Sequence, residues 1–256
     1  MIKAIFFDID GTLLSIKTGQ VPESAKKAII MLREKGIRTF IATGRNMLQI
    51  ESLPMEGIPF DGYVTLNGQI CLDEKGRVLY ESPIHTEDLA YMTSVFEKKE
   101  MPVIIVEKDC MYINYVDDFV RRVKEEVHAP ESQIGVYQGE KVYQFIVYAD
   151  EKQANQLLEQ MPHCKFTRWN AFGIDMISKE SGKTNGISHL LQHYGISQDE
   201  IMAFGDGDND KEMLAFAKIG VAMGNAEEEV KQQADYITDD VEKDGVWNAL
   251  SHYQIL

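Results

Sequence analysis

AIFFDIDGTLL (residues 4–14) sets three large apolar residues, Ile5, Phe6 and Phe7, directly against two carboxylates, Asp8 and Asp10. An unbroken apolar run of this kind reads as a strand buried on both faces, as the strands of parallel sheets are. In such sheets ligands bind beyond the carboxyl ends of the strands, where Asp8 and Asp10 fall. Two acids so close together are costly unless a cation lies between them or one stays protonated. Mg2+ suits the position, because it accepts one or two carboxylates together with waters and phosphate oxygens. A second acid could then move protons. Asp and Gly are equally the residues of an ordinary turn, and this stretch alone leaves both readings open.

Outward from this stretch, strand and helix alternate. Residues 2–8 read as a strand, and Pro22, Ala25, Ile29, Leu32 and Gly36 mark a helix with its start and stop signals. Residues 37–42 form a second strand running into Thr43-Gly44-Arg45, followed by a short helix and a third strand at 63–66. The middle changes character. ICLDEKGRVLYESP (70–83) reads as a hairpin turning near Lys75-Gly76. Further strands are predicted at 103–106, 111–115, 142–148, 163–169 and 172–177, with helices around Met92, 117–127 and Leu157. Adjacent strands of this kind predict an antiparallel sheet covered by helices. Alternation returns with a helix through Ile187, Leu190, Leu191 and Tyr194, then the strands IMAFG (201–205) and IGVAM (219–223). The expected fold class is α/β, a Rossmann-like parallel-sheet core from residues 1–82 and 181–256. An α+β cap of common domain size is inserted at 83–180.

AFGDGDND (203–210) is a second apolar strand ending in acids: Asp206, Asp208 and Asp210, with Asn209 among them. It is not a calcium loop, which needs Gly after the third acid and an acid at its twelfth position, where Lys211 and Ala217 stand. It is not a dinucleotide loop, since Asp210 takes the place of the last Gly. SGKT (181–184) lacks the first Gly of a Walker loop, Ile177 standing there. What remains is a second set of acids suited to a divalent metal. Phosphate is the usual oxygen-rich companion of such a metal, and two features offer donors for it. Thr43-Gly44 supplies a hydroxyl and backbone N–H groups, although Thr43 would also serve as a helix N-cap. Lys183 opens a helix, where N–H groups and dipole favour anions, although a single lysine is most often a solvated one.

The bulk properties exclude other classes. Of 256 residues, 44% are hydrophobic and 26% charged, as in ordinary globular chains. A net charge of −15 argues against nucleic-acid binding. The basic run Arg121-Arg122-Val123-Lys124 meets Glu125 and Glu126 at once and reads as a solvated helix face. No apolar stretch reaches the roughly 18 residues of a membrane span. Met1-Ile2-Lys3 leads straight into a strand without a leader's cleavage site, so a cytoplasmic protein is expected. Cys71, Cys110 and Cys164 lack metal-ligand spacing and are expected to be reduced and packed.

The order DIDGTLL, IATGR, an insert, Lys183 and GDGDND resembles the haloacid dehalogenase-like superfamily, whose four motifs are all present. VAMGNA (221–226) and EKDGV (242–246) resemble its Cof-type branch, with the cap between the second and third motifs. The resemblance implies Asp8 as nucleophile and metal ligand. It implies Asp10 as general acid and base, with its main-chain carbonyl on the metal, and Asp206 as a metal ligand. Thr43, Gly44 and Lys183 would bind the phosphoryl group, Asn209 would touch phosphate, and Asp210 would support Lys183 and the metal's waters. The resembled family's Asp-to-Lys spacing, counted as eight residues from Asp175, implies Lys183, with Lys179 as the fallback. The cofactor implied is Mg2+. The implied function is a phosphatase acting on a small phosphorylated metabolite, a sugar phosphate or similar, through an aspartyl-phosphate. A sugar phosphomutase is the alternative on the same scaffold. A signalling receiver would carry its phosphorylated Asp on a separate strand, but Asn67 ends GYVTL (62–66) without an acid. The insert is expected to act as a lid. Arg168 and Trp169 are its candidates for the substrate, and Arg45, just past the phosphate loop, is better placed than either. No nucleic-acid or membrane partner is expected, and a monomer or homodimer is.

Overall fold

The computed structural model describes residues 1–126 and 131–256; the side chains of Trp169 and Asn170 lie outside the described residues. The chain begins β1 (Ala4–Phe7), α1 (Glu23–Glu34), β2 (Arg38–Ala42), α2 (Met47–Glu51), β3 (Gly62–Thr65), β4 (Ile70–Asp73) and β5 (Val78–Glu81). It continues α3 (Thr86–Lys98), β6 (Val103–Glu107), β7 (Met111–Ile113), α4 (Asp118–Glu126), β8 (Val142–Tyr148), α5 (Glu151–Gln160), β9 (Cys164–Asn170) and β10 (Gly173–Ser178). It closes α6 (Lys183–Tyr194), β11 (Ile201–Gly205), α7 (Lys211–Phe216), β12 (Ile219–Ala222), α8 (Glu228–Lys231), β13 (Tyr236–Ile237) and α9 (Gly245–His252). Two compact units result: Met1–Glu81 with Gly182–Leu256, and Ser82–Ser181.

The first unit is built on an eight-stranded sheet ordered β13-β12-β11-β1-β2-β3-β4-β5. Strands β13 to β3 are parallel, with Phe7 opposite both Phe204 and Ile41. Every residue of β1 is fully buried because apolar clusters cover both faces of the sheet. One cluster joins Phe7 to Ile29 and Leu32 of α1 and Leu250 of α9; the other joins Phe6 to Ile187 and Leu190 of α6. This two-sided burial explains why β1 has no polar alternation. Each such Phe contributes about 1.5–3 kcal/mol by leaving water.

The second unit is an antiparallel sheet ordered β7-β6-β8-β10-β9. Met92, Val95 and Phe96 of α3 and Ala154 and Leu157 of α5 pack on Ile105, Phe145 and Met176 of its strands.

Four details differ from expectation. The 70–83 hairpin adds two antiparallel strands to the core sheet, which was expected to be parallel, because β4 pairs antiparallel with β3 and β5 with β4. Lys124 is buried and donates to Ser132 Oγ at 2.6 Å, so only Arg121 and Arg122 fit a solvated face. Cys110 is exposed between β6 and β7, whereas Cys71 and Cys164 are buried. The short strand β13 has no counterpart in the pattern, since two residues carry no period. Among the described residues, no helix is long and apolar enough to cross a membrane.

Candidate active site

Asp8 follows the last residue of β1, Thr43 that of β2, and Asp206 that of β11. These strands are neighbours, and β1 is where the strand order diverges to either side. A crevice opens at such a point in doubly wound sheets. Lys183 enters as the first residue of α6, whose first turn presses on the loop after β3. A Cβ on Gly68, which has φ +89°, would lie 2.0 Å from the Gly182 carbonyl oxygen. Only glycine allows that approach.

The Lys183 ammonium is buried and donates to Asp8 Oδ1 and Asp210 Oδ1, each at 2.6 Å. Asp210 Oδ2 accepts the N–H groups of Asp206 and Gly207 at 3.0 and 2.9 Å. Asp210 is thus a bracket between Lys183 and the β11 loop, with both oxygens occupied. Asp8 Oδ2 accepts no hydrogen bond from a described residue. Thr12 Oγ1 donates to Asp206 Oδ1 at 2.9 Å, and Asn225 Nδ2 donates to Asp206 Oδ2 at 3.2 Å and to the Gly11 carbonyl at 2.9 Å. Gly11, with φ +81°, lets the loop pass Asp206: a Cβ there would lie 2.0 Å from Asp206 Oδ2.

Burial pushes Asp8 well above the ordinary carboxylate range, and Asp210 adds to the rise against the pull of Lys183. Burial also pushes Asp206 up to about 6; the Thr12 bond opposes this and the Asp210 charge adds to it. Burial alone would depress Lys183, yet Asp210 and Asp8 hold its ammonium above the usual lysine value. Asp8, Asp206 and Asp210 each bring a ligand atom within 4.8 Å of the others. Three carboxylates against one ammonium leave two negative charges in excess. Hard oxygen donors with that excess fit a divalent cation such as Mg2+.

Asp10 and Arg45 form a separate, two-pronged ion pair, Nε to Oδ2 at 2.7 Å and Nη2 to Oδ1 at 2.8 Å. Arg45 therefore meets Asp10 here. Its backbone N–H donates to Thr43 Oγ1 at 3.2 Å, the buried hydroxyl next to Gly44. Asn209 donates to Asn67 Oδ1 at 3.1 Å, and Asn67 donates its N–H to the Thr43 carbonyl at 3.0 Å. Asp8, Asp10, Thr43, Gly44, Arg45, Lys183, Asp206, Asn209 and Asp210 all belong to the first unit. Lys179 belongs to the second, donating to the Pro162 carbonyl at 2.6 Å. Arg168 donates to the Ala149 and Ala171 carbonyls; the Trp169 side chain is outside the described residues.

Sequence reasoning assigned no role to Thr12, Asn67 or Asn225. Thr12 and Asn225 lie inside quoted motifs, DIDGTLL and VAMGNA, which were the available signal. Asn67 had none: its place depends on a left-handed backbone with φ 53°.

A model of the family described as haloacid dehalogenase-like hydrolase matches residues 5–250. The chain belongs to that family. Among its curated relatives, the haloacid dehalogenase-like chain is 27% identical to the putative phosphatase YkrA of Bacillus subtilis (strain 168), over 99% of this chain and 98% of that one. The structure resembles that of the HAD subclass IIB sugar phosphatase BT4131, with 35% identity, a TM-score of 0.85, and coverage of 99% of this chain and 100% of that one. It also resembles BT1666 from Bacteroides thetaiotaomicron, described among the phosphatases of this superfamily, with 31% identity, a TM-score of 0.91, and coverage of 100% and 96%.

Proposed function

We propose that the protein is a Mg2+-dependent phosphatase that hydrolyses a small phosphorylated metabolite, of the sugar-phosphate class, through an aspartyl-phosphate on Asp8. The observation that carries this reading is the cluster of Asp8, Asp206 and Asp210 at the ends of β1 and β11, with Asp8 and Asp210 on one buried ammonium. The sugar-phosphate class is supported by the likeness to a sugar phosphatase.

Asp8, Asp206 and the main-chain carbonyl of Asp10 would hold the cation. When bound, it offsets the excess negative charge and neutralises phosphoryl oxygens. Lys183 fixes Asp8 through Oδ1, which leaves the Oδ2 lone pairs for attack on phosphorus. As the Asp8–phosphorus bond forms, the bond to the leaving oxygen breaks, and protonated Asp10 gives that oxygen its proton. Asp10 then takes a proton from the water that releases phosphate from Asp8. The Asp10–Arg45 pair is the ionised, base form of this shuttle. In the acid form Asp10 lets go, and Arg45 is free for substrate oxygens. Thr43 and the Gly44 N–H orient the phosphoryl group, and Asn209 contributes beside them. We include in this reading that residues 83–180 form a cap that selects the substrate.

The test is phosphate release from a panel of phosphorylated metabolites with Mg2+, run beside Asp8→Asn. Wild type turns over and the variant does not. Full activity of a folded Asp8→Asn, shown by mass spectrometry to have kept its Asn, refutes the proposal.

A further inference from the structure

Among the described residues, a second set of metal-ligating side chains lies in the other unit: His85, Asp88 and His163, each with a ligand atom within 4.8 Å of the others. Nothing in the proposed hydrolysis uses it. His85 is the N-cap of α3, Asp88 lies in its first turn, and His163 precedes β9. The two imidazoles stack with centroids 3.8 Å apart and planes at 28°. Both are exposed, whereas Asp88 beneath them is 0% exposed.

A buried carboxylate ordinarily has a cation for a partner. Among the described residues, no Lys or Arg forms an ion pair with Asp88. It accepts the His163 N–H at 3.0 Å on Oδ2, contacts His163 Nδ1 at 3.1 Å through Oδ1, and accepts the Cys164 thiol. The 3.1 Å separation of Oδ1 and Nδ1 is close to the roughly 3.3 Å edge of a tetrahedron with metal bonds of about 2.0–2.1 Å. The stacked rings need only splay to aim the second imidazole at the same point.

We propose that His85, Asp88 and His163 bind a borderline divalent transition ion, Zn2+ by preference, with the remaining position open to water. Two imidazoles with one carboxylate favour Zn2+ over Mg2+, which prefers oxygen alone. The ion binds His163 through Nδ1, the nitrogen that faces Asp88 Oδ1, and the ring's one N–H is then Nε2–H. It would tie the start of α3 to the start of β9, segments 75 residues apart.

The experiment is calorimetric titration of the full chain with Zn2+ in excess Mg2+, with Co2+ absorption as a second readout. It uses wild type, His85→Gln, His163→Gln and Asp206→Asn. We expect one Zn2+ equivalent that Asp206→Asn retains and that each histidine variant weakens by at least about tenfold, since even losing a group that only orients a ligand costs about that much. Co2+ should give visible bands that both histidine variants lack. Both histidines are exposed, so two independent substitutions guard against a folding artefact. Equal Zn2+ binding in wild type and either histidine variant, loss of the equivalent in Asp206→Asn alone, or no binding at all overturns the proposal.

Discussion

Asp206→Asn should stabilise the metal-free protein. The rise of Asp206 from its ordinary 3.8 to about 6 corresponds, at about 1.4 kcal/mol per pH decade, to about 3 kcal/mol. The sign follows from proton binding. Folded Asp206 holds its proton more tightly than unfolded, so its contribution is fully present below about pH 4 and is lost as the pH rises through about 6. Above that the metal-free fold carries an unfavourable carboxylate, which Asn removes while keeping a side-chain oxygen for the Thr12 hydroxyl. Asn225 loses part of its contact, so the expected net gain is about 2 kcal/mol, allowing about 1 kcal/mol for a hydrogen bond. Mg2+ reverses the order: at a hundredfold excess over Kd it stabilises wild type by about 2.7 kcal/mol and the variant less. The assay is urea unfolding in chelator across the pH range. A Trp169→Phe background leaves Trp247 of α9 as the sole tryptophan, reporting on the first unit. A variant no more stable than wild type at about pH 7.5, or a gain that persists unchanged below about pH 4, refutes the reasoning.

Asp10→Asn should slow single-turnover formation of the aspartyl-phosphate by about 10²–10⁴-fold with an alkyl phosphate and far less with a nitrophenyl phosphate; equal losses would mean that Asp10 acts through the metal or the fold. Gly11→Ala should cost about 1–2 kcal/mol in left-handed backbone strain alone, and it should also weaken Mg2+ binding, because the new methyl group meets Asp206; unchanged binding in isothermal titration would show that the loop yields. Replacing residues 83–180 by a short linker should leave a folded core that no longer ranks substrates, and an unaltered ranking would exclude the insert as selector.

The large sheet was legible because burial on both faces leaves strands without polar alternation, and IFF, RTFIA and IMAFG each stop abruptly at acids or Thr-Gly. The carboxylates were legible for the same reason. What the sequence hid depends on tertiary approach. Asn67 and Asn225 meet the site only because loops far apart in the chain converge; Asn225 at least lies within the VAMGNA motif, whereas nothing in the sequence singles out Asn67. The hairpin β4–β5 has the same local pattern whichever sheet it joins, and only its pairing with β3 decides. Lys124 lies in a charged run yet its stem is buried, as long basic side chains allow. His85, Asp88 and His163 are separated by up to 78 residues and show no spacing that would bring them together.

The central strand has a consequence for synthesis. β1 is flanked by β2, made soon after it, and by β11, which begins at Ile201. At about 5–20 residues per second, roughly 10–40 seconds separate the appearance of β1 from that of its second neighbour. Throughout that interval the β11-facing edge of a fully apolar strand has no native partner, and for most of it Lys183, which balances Asp8, does not yet exist. The nascent chain therefore holds a sticky edge ending in an uncompensated acid, a form whose persistence favours helpers that shield apolar strands on the ribosome. Assembly of the sheet's centre is among the last events of folding, although its first strand is among the first residues made.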